Sequence, residues 1–384
     1  MRETREVYMD YNATAPVRAE AAEAFASVAR EGFGNPSSTH FAGRRAKAIL
    51  DEARERIAAT LGAGAGEVYF TSGGTEGDNL AIAGVAEARG SGHIVTSAIE
   101  HPAVLETCRY LELRGFEVTY VPVGQGGRVD PERVRRAMRA DTILVTVMWV
   151  NNETGVVQPI EDIGEMVRGR GVPFHSDAVQ AYGRISVDVR DTPVDVLTIS
   201  GHKFCAPKGV GAVYIRRGVE LRAKVHGGGQ ERGARSGTEN LPGIAAMSAA
   251  GELACAERGV ESVRIAGLRD RLEAGVLEMV SGASINGGGS ARVANTSNIR
   301  FPGADGEEIL IALDEQRIAV SSASACAAGN DEPSHVLMAM GLSRRQAEES
   351  VRFSLGRFST DADVERCLEV LPGAVDRIRA LRRR

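Results

Sequence analysis

The chain has no Cys-x-x-Cys pair. Its five cysteines, Cys108, Cys205, Cys255, Cys326 and Cys367, are odd in number and widely spaced. That argues against a disulfide framework and a preformed zinc site, and it fits a reducing, cytoplasmic setting. No stretch approaches the roughly 20 apolar residues of a membrane span. The charged opening Met1-Arg2-Glu3-Thr4-Arg5-Glu6 predicts no signal peptide. Basic excess is missing too: the net charge of −5 speaks against broad binding to nucleic acid or anionic membrane. Neither Gly-x-x-x-x-Gly-Lys-Ser/Thr nor Gly-x-Gly-x-x-Gly occurs, which lowers the nucleoside-triphosphatase and dinucleotide readings.

What remains is a 384-residue globular chain, 43% hydrophobic and 25% charged, too long for one ordinary core. Apolar residues at Ala46, Ile49, Leu50, Ala53, Ile57 and Leu61 predict a helix over Phe41 to Leu61, ended by Gly62. Beyond it, β-rich runs alternate with helical segments: 68–70, 93–96, 118–121, 143–147, 172–175, 196–199 and 212–215. This alternation predicts an α/β fold around a mostly parallel sheet. A charge-rich helical stretch from Gly251 to Arg271 changes the character of the chain. The runs at 297–301, 318–320 and 351–354 then suggest a smaller α+β domain. We expect a large domain over residues 15–260 and a small one formed by 1–14 with 261–384.

In such sheets functional groups gather in loops at the carboxyl ends of strands, and the polar motifs fall there. Thr71-Ser72-Gly73-Gly74-Thr75-Glu76 is a glycine turn that opens a helix, where backbone N–H groups suit an anion; an ordinary capped turn is the other reading. Glu100-His101-Pro102 places an imidazole able to lie over a flat ring or to bond the backbone. Asn151 and Asn152 follow the most apolar run and read either as uncharged ligand holders or as a turn pair. Asp177, with Gln180 three residues on, suits a protonated ring nitrogen as well as a helix cap. Ser200-Gly201-His202-Lys203 ends another apolar run with a lysine placed for a Schiff base, although a surface lysine reads the same in isolation. His226 to Thr238 is too glycine-rich and charged for a core. Ser321 to Pro333 is a run of small residues around one thiol, Cys326, that lacks apolar anchors.

In this order, the motifs Thr-Ser-Gly-Gly-Thr-Glu, Glu-His-Pro, Asn-Asn-Glu-Thr-Gly, Ser-Asp-Ala-Val-Gln, Ser-Gly-His-Lys, Arg-Ser-Gly-Thr and Ser-Ala-Cys resemble the cysteine desulfurases of the class V aminotransferase, fold-type I pyridoxal-phosphate superfamily. Glu332-Pro333-Ser334-His335-Val336-Leu337 and Arg352-Phe353-Ser354-Leu355-Gly356-Arg357 are similar to the housekeeping and nitrogen-fixation group. The resemblance implies pyridoxal 5'-phosphate bound to Lys203 as a Schiff base, His101 over the ring, Asp177 on the ring nitrogen and Gln180 on the ring hydroxyl. It implies a phosphate held by Gly74, Thr75, Ser200 and His202, with Thr238 from the second subunit of a homodimer. Asn152 and Arg352 would hold the carboxylate of the substrate, L-cysteine. Cys326 would take its sulfur as a persulfide, leaving L-alanine, and pass it to an acceptor such as an iron–sulfur scaffold. No resident metal is implied, although Cys326 is placed to ligate a cluster transiently. A related lyase or aminotransferase, such as a selenocysteine lyase, is the alternative. Asp10-Tyr11-Asn12-Ala13-Thr14-Ala15-Pro16 departs from the family pattern and makes substrate contact by Asn12 an open expectation. Cys205, where the family commonly has tyrosine, reads as a pocket wall.

Overall fold

The structure is a computed structural model that describes residues 5–322 and 332–382. The chain opens with β1 (Val7–Tyr8), α1 (Ala19–Glu31) and α2 (Phe41–Leu61). Strands and helices then alternate: β2 (Val68–Thr71), α3 (Gly74–Arg89), β3 (His93–Ser97), α4 (Pro102–Glu112), β4 (Glu117–Val121), α5 (Pro131–Ala137), β5 (Thr142–Thr146), α6 (Ile160–Arg168) and β6 (Phe174–Asp177). Next come β7 (Val196–Ser200), β8 (Gly211–Ile215) and the long α7 (Leu241–Met279). The remainder runs β9 (Ser284–Ile285), β10 (Thr296–Arg300), α8 (Gly306–Asp314), β11 (Ile318–Ala319), β12 (Ser321–Ser322), α9 (His335–Ala339), α10 (Arg344–Glu348), β13 (Ser350–Ser354) and α11 (Asp361–Arg382).

Seven strands form one sheet in the order β2-β8-β7-β6-β5-β3-β4. Strand β8 runs antiparallel to β2 and β7, and the other pairings are parallel. Strands β2, β7, β6, β5 and β3 therefore point the same way, and their carboxyl ends share one edge. Every residue of β7, Val-Leu-Thr-Ile-Ser, is buried, as expected for a central strand covered by helices on both faces. One face packs against α2 and the first part of α7, the other against α3 and α4. The apolar stripe of α2 (Ala46, Leu50, Ala53, Ile57, Leu61) is buried, and Gly62 ends the helix in the left-handed region at φ 69°.

Two boundaries differ from the sequence reading. The run at 172–175 becomes a strand only from Phe174, since Pro173 has no N–H to give a ladder. It then continues through Asp177, because Ser176 and Asp177 still pair with Leu197 and Thr198 of β7. The charge-rich stretch at 251–271 is the middle of the 39-residue α7. Its first part, through Gly251, is buried with the large sheet. Its last part (Leu268, Leu272, Val276) joins a second apolar cluster with β1, β10, β13, α8 and α11. In that second region β12-β13-β10-β9 form an antiparallel sheet, and β1 pairs with β11.

Candidate active site

Five loops leave the shared carboxyl edge, and their side chains line a cavity of about 320 Å³. Gly74 and Thr75 come from the start of α3, His101 from the start of α4, Met148 and Asn152 from the segment after β5. Asp177 ends β6, with Val179 and Gln180 after it, and Ser200 ends β7, with His202 and Lys203 after it. Asn12 and Ala13 close it from the N-terminal segment, and Asp78 reaches in from α3.

Each motif builds its own local support. Gly73 breaks the chain at φ 155°, and α3 opens at the next residue, so its first N–H groups lack partners within the helix and belong to the cavity-lining Gly74 and Thr75. A Cβ on Gly74 would stand 2.9 Å from Val179 Cγ2 and 3.5 Å from Ser200 Cβ, so glycine keeps that approach open. His101 caps α4, its Nδ1 accepting from the Ala103 N–H at 3.1 Å, with Pro102 at the first helical position. Asn151 is the turn residue of its pair: its Oδ1 accepts from the N–H groups of Glu153 and Thr154, each at 3.0 Å. Asn152 is left to face the cavity. Asp177 Oδ1 accepts from Val179 N–H at 2.8 Å, an Asx turn that fixes the carboxyl where the strand ends.

The backbone of Asn12 is the hub. Its carbonyl accepts from Lys203 Nζ at 2.5 Å and from Gln180 Nε2 at 3.0 Å, while the Ala13 carbonyl accepts from Lys203 at 2.9 Å. Its side chain donates to the Asn152 carbonyl at 3.0 Å and to Thr296 Oγ1 at 2.8 Å, and accepts from Asn295 at 2.9 Å. Asn12 thus ties the large sheet to β10, despite the departure of its neighbours from the family pattern. Arg352 lies deeper, 1% exposed, donating to the Asn152 carbonyl at 3.2 Å and to Asp10 at 2.8 Å.

Burial dominates the electrostatics. It lowers His101 to about 4, helped by the nearby Lys203, so the imidazole is neutral at pH 7. With Nδ1 accepting, its proton sits on Nε2. His202, whose Nδ1 lies 3.2 Å from Thr14 Oγ1, is likewise lowered to about 4, by burial and then Lys203. Asp177 is raised to about 6 by burial, against the pull of the Val179 N–H and Lys203.

The structure thus brings together Asn12, Gly74, Thr75, His101, Asn152, Asp177, Gln180, Ser200, His202 and Lys203. Arg352 stands behind Asn152. Thr238 is exposed and is not among the residues lining this cavity. Cys326 lies outside the described residues. Cys205 lines a second, smaller hollow on the far side of Lys203, as a wall beside Tyr11 and Arg18. Sequence reasoning missed Ala13, Asp78, Met148 and Val179 as lining residues. For Asp78 a signal existed: an acid three residues after Thr75 lies one helical turn on, on the same face of α3.

The aminotransferase class-V family matches residues 7–367. A cysteine desulfurase of Methanosarcina thermophila is 48% identical over 379 residues, covering 98% of this chain and 94% of that protein. Among solved structures, a NifS-like protein superposes with a TM-score of 0.90 at 38% identity, covering 97% of this chain and all of that one. A protein solved in complex with cysteine, SspA, reaches a TM-score of 0.82 at 38% identity, covering 92% of this chain and 100% of that one. With this cavity at the end of this sheet, the chain belongs to the cysteine desulfurases of the aminotransferase class-V family.

Proposed function

We propose that the chain removes sulfur from L-cysteine, leaving L-alanine, and carries it as a persulfide on Cys326 to an acceptor protein, an iron–sulfur scaffold being the partner the family resemblance points to. The observation that carries this is the meeting of Lys203, Asp177 and His101 in one buried cavity at the sheet's carboxyl edge. The residues fit a phosphorylated pyridine. Gly74, Thr75, Ser200 and His202 offer uncharged donors beside a helix N-terminus for the phosphate, and Asp177 suits a protonated ring nitrogen. Pyridoxal phosphate bound there supplies an electron sink that weakens bonds at the substrate's α-carbon.

The chain's own residues do the rest. Lys203, held by the Asn12 and Ala13 carbonyls, is placed to anchor the cofactor and to move a proton at the α-carbon. Neutral His101 offers a flat face and an Nε2–H. Gln180 reaches the ring hydroxyl from the Asp177 side. Asn152 and Arg352 hold the substrate carboxylate, and Arg352 also donates to the Asn152 carbonyl. The Cys326 thiolate attacks the substrate sulfur; the S–S bond forms as the carbon–sulfur bond breaks, and that electron pair stays with the carbon skeleton. Thr238 completes the phosphate site of a second copy in a homodimer. A large domain over 15–260 and a small one of 1–14 with 261–384 would divide within α7, where one apolar cluster gives way to the other, while Val293, Val336, Leu337, Met340 and Ala347 pack with the large core.

The test is Cys326→Ser in purified protein given pyridoxal phosphate. We expect the imine absorbance to persist while alanine and sulfide formation from cysteine fall to background. Unchanged turnover would sink the persulfide step.

A further inference from the structure

Beneath the ring site lies a carboxyl that none of these roles uses. Asp78 is 1% exposed and lines the cavity, yet its Oδ1 has no hydrogen-bond partner among the described residues. Helix α3 can bring it there because Gly77 lets the helix sit close on the sheet. A Cβ at that position would stand 2.6 Å from Thr198 Cγ2 and 3.0 Å from Val213 Cγ2.

Below Asp78 the polar groups are linked and uncharged. His175 meets Thr146 Oγ1 through Nδ1 at 2.8 Å and Thr198 Oγ1 through Nε2 at 3.0 Å. Its Nε2 is 3.6 Å from Asp78 Oδ1, and the Thr198 hydroxyl lies beside the Asp78 carboxyl. His175 and Asp177 are two apart on β6 and so face the same side, and Thr198 pairs directly with Asp177 across the ladder.

An ionised carboxylate buried with an orphaned oxygen and a second carboxylate nearby is costly, and a proton removes that cost. His175 does not supply the compensating charge, since burial drives it down to about 3. Burial first, and then Asp177, pushes Asp78 well above the carboxylate range. Glu100, raised to about 8 by burial, adds no full charge near neutral pH.

We propose that Asp78 works as a neutral carboxylic acid on the cavity floor and is a positioning residue for Asp177, leaving the negative charge of the pair on Asp177, the carboxylate proposed for the ring nitrogen. The proposal rests on the pyridoxal-phosphate reading. Together with Thr198 and His175 it makes a floor that holds Asp177 in place without competing for the ring proton.

The experiment compares wild type, Asp78→Asn and Asp78→Ala by titrating the apo chain with pyridoxal phosphate. The ring nitrogen is read by ¹⁵N NMR of labelled cofactor. The Asn variant is expected to bind within about threefold of wild type with an unchanged ¹⁵N shift, and the Ala variant about tenfold more weakly with the shift moved toward an unprotonated ring. Should the Ala variant fail to fold, Thr198→Val, which removes the bridging hydroxyl at similar volume, is expected to show the same loss. A wild-type chain that takes up no cofactor overturns the parent reading and this one with it. Normal uptake with equal losses in the Asn and Ala variants, or with none in any variant, overturns the assignment of Asp78 alone.

Discussion

Replacing Arg54 with methionine strands a buried carboxylate. Arg54 and Glu231 are 7% and 5% exposed, and the guanidinium meets both carboxylate oxygens at 2.7 Å. Glu231 also accepts from the Phe70 N–H at 2.9 Å, and Arg54 lies over the Phe70 ring. Both Glu231 and Arg232 hold left-handed backbone, φ 47° and 55°, so this ion pair pins a turn that the chain disfavours on its own. Losing the cation should cost about 3–5 kcal/mol, the range for one partner of a buried pair. The double variant Arg54→Met/Glu231→Leu removes the stranded charge and leaves the Phe70 N–H unpaired, about 1–3 kcal/mol. The Val68 carbonyl keeps a donor in Arg232. Thermal melting should therefore rank wild type above the double variant and the double variant above Arg54→Met. Trypsin offers a local readout, because Arg232 and Arg235 lie on the pinned segment and should be cut faster in the single variant. A double variant no more stable than the single one would refute the reasoning.

Gly356→Ala should destabilise by about 3 kcal/mol, since a Cβ there would fall 2.0 Å from the Tyr11 ring, itself 4% exposed; an unchanged melting temperature would contradict that packing. Glu100 is raised from its usual value to about 8 by burial, so the folded chain holds more protons than the unfolded one from about pH 4.5 to 8, and this group's contribution to stability falls as pH rises through that window. Glu100→Gln removes that slope, and its stability relative to wild type should improve by about 1.4 kcal/mol per pH unit there. Melting curves whose difference is flat with pH would rule this out.

The seven runs read from the sequence are the seven strands of the main sheet, because alternation with helices and β-branched residues report burial directly. The α2 helix and its Gly62 end were legible for the same reason. Strand β6 was less so: Ser176 and Asp177 look like loop residues, and only their ladder with β7 keeps them in the strand. At the site, the motif residues were readable because each follows a strand end. Asp78 was only half legible: its spacing from Thr75 puts it on the same face of α3, but an acid near a helix start is commonplace, and its orphaned state depends on how closely Gly77 lets α3 approach. The Asn12 hub was equally hidden. Its partners Asn152, Lys203, Asn295 and Thr296 are scattered along the chain, and nothing local reports their meeting.

Helix α7 has one more consequence. Its first part, through Gly251, is embedded with the large sheet, and its last, from Leu268, with the second cluster, with no fully buried residue between. A helix turns by about 100° per residue, so the number of residues between Gly251 and Leu268 sets the phase of one core against the other. A single insertion in that span would rotate the second core by nearly a third of a circle. Seven would return it almost to register and shift it by about 10 Å along the axis. The count of residues along this mostly half-buried span is thus a structural parameter of the protein, separate from what each of its side chains touches.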